Sequence, residues 1–318
     1  MFFLFPACRV ISLTDRDAAA YDEKEGRQRG VTAMAQEIYV AHRGGIGVYS
    51  MAGEKLRAAP LAGAGALCVS GAHIFCAAEE ERAILRLNRH TLTPEAVFSG
   101  GPGVSQLMTS ADGRWLYALC AEADSVLMLD AVSGMPMIVC RVGCNPQQMA
   151  LRGDMLAIAG GESGCVHLLD AHTLDQRGCL PMPGPVYSVD MDECAVYALC
   201  MTPALDALLV TQTPERSTRI AIEGMPGRML RLEERLLVSA HMRLYDVGLD
   251  GGCILRACAA PGRAAGLIAA EGKLFFVDML GERLLLGDGV GAWRLLCTEV
   301  KDAVVSLAQE DLEQKIRQ

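Results

Sequence analysis

Seven short apolar runs recur at a spacing near 40 residues: IYVAH from Ile38, IFCAA from Ile74, LYALC from Leu116, LAIAG from Leu156, VYALC from Val196, LLVSA from Leu236 and LFFVD from Leu274. Successive starts lie 36 to 42 residues apart. A period of that length marks an array of small units, none able to bury its own apolar faces and each completed by stacking on the next. Before most runs stands a tight polar turn with a further apolar run on its far side, as at Asp112-Gly113, Gly153-Asp154 and Asp192-Glu193. Such pairs tolerate the positive φ that short hairpins need. After each run comes another apolar stretch, often ended by Asn88, Asp130 or Asp170, then a weaker fourth strand and a Gly or Pro such as Pro102-Gly103, Pro226-Gly227 or Pro261-Gly262.

Four strands per unit and seven units make an all-β chain. The runs are continuously apolar, as they must be where a sheet is covered on both faces by its neighbours. No run in the repeats shows a sustained helical period, and turn formers interrupt about every ten residues. The architecture expected is a seven-bladed β-propeller of four-stranded antiparallel blades, whose radial closure removes the exposed edges of an open array. The first unit, read from Met34, supplies only three strands. Its missing innermost strand is expected from Lys301–Ala308, so that the two chain ends pair and close the ring. A helix beginning near Val304 is the rival reading of that segment. Residues 34–308 are thus the propeller, 309–318 a short helical tail, and 1–33 an unstructured or mis-assigned extension with Met34 as the expected initiator.

The balance of 29 Lys and Arg against 38 Asp and Glu, a net charge of −9, argues against nucleic acid and anionic membranes as partners, because both demand a basic face. No apolar run reaches the length of about 18 residues needed to span a bilayer. Thirteen cysteines are an odd number. Cys76, Cys120, Cys165 and Cys200 sit inside apolar runs, where they read as small buried hydrophobes. Cytoplasm is the expected compartment, with export the alternative if residues 1–33 are a signal segment. A monomer is expected.

The strands Tyr39-Val40-Ala41-His42, Tyr117-Ala118-Leu119-Cys120, Tyr197-Ala198-Leu199-Cys200 and Phe275-Phe276-Val277-Asp278, and the whole unit from Ser110 to Gly134, resemble the YVTN-repeat β-propellers over residues 34 to 308. The chain departs from the family's Asn, which is replaced by His42, Ala78, Cys120, Gly160, Cys200, Ala240 and Asp278. The resemblance implies a binding or scaffold protein. More distant seven-bladed relatives include sugar-lactone hydrolases, and fold alone does not choose between the two.

In this topology the ends of the second strands and the connections between units share one face around the central channel. His42, Arg43, His241, Asp278, Gln147, Gln148, Tyr187, Arg228 and Arg263 fall there, as candidate ligand contacts. Arg228 and Arg263 each follow a Pro-Gly pair, and two guanidinium groups at one rim would suit a carboxylate or phosphate. His42 and Asp278 are the candidate catalytic pair, His42 as a proton carrier and Asp278 as a general base. No metal ligands and no cofactor are assigned: no Cys-x-x-Cys occurs, which leaves Cys140 with Cys144, and Cys253 with Cys258, as weak zinc candidates, and Gly287, Gly289 and Gly291 precede no helix. The leading expectation is a non-enzymatic propeller presenting the channel mouth to a small anionic ligand or a protein partner. The alternative is a hydrolase of the sugar-lactone type at the same mouth.

Overall fold

In a computed structural model the chain forms seven β-sheets, each with four antiparallel strands as its blade. The structure describes residues 12–13, 36–78, 81–232, 234–249, 252–270, 273–287 and 292–306. Blade one joins Val300–Ser306, Glu37–His42, Gly45–Ser50 and Lys55–Pro60 in that order outward. Blades two to seven take consecutive quartets of strands whose first members begin at Ala64, Val104, Gln148, Val186, Pro226 and Ala264. Val300–Ser306 pairs antiparallel with Glu37–His42 through Ile38 opposite Val305 and Val40 opposite Ala303, which closes the ring as expected. The rival helix from Val304 is thereby overturned. The strand wins because its residues satisfy the open edge of Glu37–His42, which a helix would leave unpaired. Ser12–Leu13 forms a two-residue strand parallel to Val305 and Ser306, on the channel side of blade one. The rest of the 1–33 extension and the 309–318 tail lie outside the described residues. Ala121–Ala123 is the one helical turn among the described residues, and no helix there is long and apolar enough to cross a membrane.

Burial follows the wedge shape of the ring. Second strands are covered on both faces: in His73–Ala78 and Trp115–Cys120 every residue after the first is buried. Outer strands stand where blades splay apart, and Lys55–Pro60, Pro136–Arg141 and Gln176–Pro181 alternate between half-buried and exposed positions. The apolar core is accordingly divided among the blade interfaces. Tyr117, Leu119, Val126 and Met128 of blade three pack on Met149, Leu156, Ile158 and Leu169 of blade four. Blades seven and one pack through Phe275, Val277, Ile38 and Val40.

The inner strands of adjacent blades are joined by side chains as well as by packing. Asp302 of blade one accepts the Leu67 N–H of blade two at 2.7 Å. Gln106 of blade three reaches blade four, donating to the Met149 carbonyl at 3.2 Å and accepting its N–H at 2.6 Å. Ser188 of blade five donates to Gln148 of blade four at 2.5 Å and accepts the Met229 N–H of blade six at 3.1 Å. Arg228 of blade six completes the series through the Ala265 carbonyl of blade seven, 3.2 Å from Nε. A partial belt of side-chain bonds, joining blade one to two and blades three through seven in series, therefore runs along the channel wall. Asp302, Gln106, Ser188 and Arg228 are all buried, so each bond spares a backbone or side-chain group the cost of desolvation without a partner.

Candidate functional site

The mouth is defined by a repeated backbone bond. The residue after a second strand donates its N–H to the connection entering the same blade: Arg43 to Glu299, Ala121 to Gly103, His241 to Met225 and Met279 to Arg263, at 2.8 to 2.9 Å. These bonds put the second-strand ends and the inter-blade connections on one face, as the topology requires.

Asp278 ends the second strand of blade seven and is 1% exposed. Its carboxylate accepts the N–H groups of Arg263 and Leu280, each at 3.2 Å, and pairs with Arg283 at 3.0 Å to Nε and 2.5 Å to Nη2. Two glycines make room for it: a Cβ on Gly262 would stand 2.2 Å from Oδ1, and one on Gly281 2.5 Å from Oδ2. Asp278 thus organises two loops and is not placed as a general base. The Gly of Pro261-Gly262 is required by this carboxylate.

The two arginines expected to form a matched pair are not matched. Pro226 lies opposite Ala240 and Ala264 opposite Asp278, so the blade-seven equivalent of Arg228 is Gly266, and Arg263 corresponds to Met225. The Pro-Gly-Arg triplet repeats in sequence but slips by three residues in register. Arg228 is buried in the belt, where Nη1 donates to the Tyr187 carbonyl at 2.5 Å and its own N–H is bound by Ser239 Oγ at 2.8 Å. Gln148 is likewise a belt residue, and Gln147 Nε2 bonds Asn145 at 3.0 and 2.9 Å within its own loop.

Arg43 is exposed and reaches Glu282 at 3.5 Å. His241 is an exposed turn residue at φ 50°. His42 is half-buried and its Nε2 has no hydrogen-bond partner among the described residues. Burial, then the nearby Lys55 charge, hold its pKa below the usual imidazole value against the pull of Glu299.

Tyr187 and Arg263 are the two mouth candidates that act on each other electrostatically. Both are half-buried. Burial lowers the Arg263 guanidinium and raises the Tyr187 phenol, and each feels the charge of the other in the opposite sense. Glu162, from the Gly160–Gly164 turn of blade four, also acts on that phenol. A placed acid and base pair is not among the described residues of the mouth.

Two groups escaped the sequence reading. The belt is invisible there because its members, Asp302, Gln106, Ser188 and Arg228, share a structural position but no residue type. The other group is Cys165, His167 and Cys179 in blade four, whose Sγ, Nε2 and Sγ atoms lie within 4.8 Å of one another. Its signal was present as Cys-x-His on one strand face with a Cys across the following hairpin.

No protein-family model matches the sequence and no curated protein matches it. Solved structures do resemble the fold. A functionally unknown protein from Desulfotomaculum acetoxidans superposes with a TM-score of 0.72 at 10% identity, covering 86% of this chain and 99% of that one. Hydrazine synthase of Kuenenia stuttgartiensis gives 0.60 at 14% identity, over 70% of this chain and 76% of its own. The WD40 repeats of RRP9 give 0.58 at 16%, over 77% and 81%. At these identities the likeness is one of fold: the chain is a seven-bladed β-propeller with a WD40 protein among its structural neighbours, and no family model or curated relative links it to the YVTN-repeat family that its Tyr39, Tyr117 and Tyr197 strands resemble.

Proposed function

We propose that the chain is a non-enzymatic binding or scaffold propeller that presents its channel mouth to a small anionic ligand. The observation that carries this reading is that Tyr187 and Arg263, both half-buried, act on each other electrostatically next to the side-chain bonds of the channel wall. A guanidinium partly withdrawn from water binds a carboxylate or phosphate more strongly than a fully hydrated one, and a phenol adds direction. Asp278 supports the same reading from the other side. Its oxygens are taken by two backbone N–H groups and Arg283, which removes the base that a lactone-type hydrolysis would draw on.

The test is calorimetry and thermal shift of the full chain with glucose 6-phosphate and with gluconolactone, each followed by an assay for turnover. Binding of the phosphosugar without turnover, weakened about tenfold or more in Arg263→Gln and less in Tyr187→Phe, is the expected result. Lactone hydrolysis that disappears in Arg263→Gln would replace this reading with the hydrolase. Silence toward both probes would assign the mouth to a protein partner.

A further inference from the structure

The third strand of blade four, Cys165–Asp170, sets Cys165 and His167 two residues apart and so on one face of the sheet. The outer strand Gln176–Pro181 places Cys179 directly opposite His167 and on that same face. Cys165 Sγ stands 3.2 Å from His167 Nε2 and 3.4 Å from Ser163 Oγ, and the second sulfur completes a triangle with no edge above 4.8 Å.

The surroundings are built to keep this space. Gly143, at φ +93°, crosses above it on the connection from blade three, where a Cβ would stand 2.9 Å from His167 Nε2 and 2.7 Å from Ser163 Oγ. Gly160 does the same from the side, 3.0 Å from His167 Cδ2. Cys165 is buried, His167 half-buried and Cys179 exposed, so the cluster is closed within the blade and open at one corner.

We propose that Cys165, His167 and Cys179 bind a thiophilic d10 cation, Zn²⁺ in the first instance. In a tetrahedral zinc centre, with Zn–S about 2.3 Å and Zn–N about 2.0 Å, neighbouring ligand atoms stand roughly 3.5 to 3.8 Å apart. One of the three separations in blade four is 3.2 Å and none exceeds 4.8 Å, so small side-chain rotations bring the three atoms onto one ion. Ser163 Oγ or a water takes the fourth position. As each S–Zn bond forms, the thiol releases its proton to solvent. This inference is independent of the reading of the mouth.

Cobalt titration of the reduced full chain under anaerobic conditions tests it. One equivalent of Co²⁺ should produce a thiolate-to-cobalt charge-transfer band and strong tetrahedral d–d bands, and Zn²⁺ should displace both. Cys179→Ser replaces an exposed residue and leaves the sheet intact. It should weaken Co²⁺ binding by more than roughly tenfold, as should His167→Gln, while a Cys194→Ser/Cys253→Ser control keeps parental affinity. Far-UV circular dichroism confirms that each variant is folded. Absence of the charge-transfer band in the parent, or its persistence in Cys179→Ser and His167→Gln, overturns the proposal.

Discussion

Asp278 shows how a single residue changes meaning between sequence and structure. At a strand end near a channel it has the chemistry of a base, yet both oxygens serve Arg263, Leu280 and Arg283. Removing one partner of a buried pair strands the other, and the cost is moderated here because Arg283 is 39% exposed. Asp278→Asn is expected to lose about 2 to 4 kcal/mol in urea denaturation. A variant as stable as the parent would return Asp278 to the list of candidate bases. Glu37 offers a pH-dependent counterpart on the opposite face, bound by Arg57 at 2.7 and 2.8 Å and by the Tyr39 hydroxyl. Burial pushes this carboxyl up, but the hydrogen bonds from Arg57 and Tyr39 and the charges of Arg57 and Arg89 outweigh it and hold the pKa below the usual range. A depressed folded pKa contributes stability above the unfolded value of about 4.3 and loses it as pH falls through the folded one. Glu37→Gln should therefore be less stable than the parent at pH 7, by a margin that narrows steadily below about pH 4. A margin constant from neutral to acid pH would show that the ion pair contributes nothing.

At the scale of the strand, legibility tracks two-sided burial. The second strands announce themselves because both faces are covered, and residues such as Leu116 to Cys120 have no polar face to show. Third strands were bounded correctly by Asn88, Asp130 and Asp170, whose Oδ1 atoms accept the N–H groups two and three residues on and so fold the following turn. Register was not legible. Inner strands carry a bulge near the mouth in blades one, two, three, five, six and seven, and blade four pairs Gln148 with Ala159 without one. Arg228 and Arg263 look equivalent because the two Pro-Gly-Arg triplets do not show where the inner strand starts: in blade six it starts at Pro226, before Arg228, and in blade seven at Ala264, after Arg263. Contacts between blades were not legible either. Tyr117 on blade three is fully buried and donates its hydroxyl to the Ala171 carbonyl of blade four at 2.5 Å. Tyr117→Phe keeps the ring and leaves that carbonyl unpaired, which should cost about 1 to 2 kcal/mol. The expected record is a lower urea midpoint with an unchanged slope. An unchanged midpoint would mean that water replaces the hydroxyl.

The whole molecule depends on one joint made by residues about 260 positions apart in sequence, Val300–Ser306 against Glu37–His42. Other blades are built from contiguous chain and need only local loop closure, whereas this blade forms after everything between its halves is in place. The same strand also carries Asp302, 1% exposed, whose carboxylate holds the Leu67 N–H of blade two, so closure joins blade one to itself and to its neighbour together. Without it, Ile38, Val40 and Ala41 would lose their cover on the inner side and the ring would become an open array with two exposed edges. A chain ending at Glu299 is accordingly expected to lose cooperative unfolding, and hydrogen exchange should rise first in Glu37–His42 and Ala64–Ser70 rather than evenly. A synthetic peptide of residues 300–318 added in trans should restore protection to those two strands. Asp302→Ala leaves the strand in place and removes only its link to blade two, so it should unfold cooperatively at a stability about 1 to 3 kcal/mol below the parent. If the truncated chain instead unfolds as sharply as the parent, with the same urea slope, the six contiguous blades suffice and closure adds little to the fold.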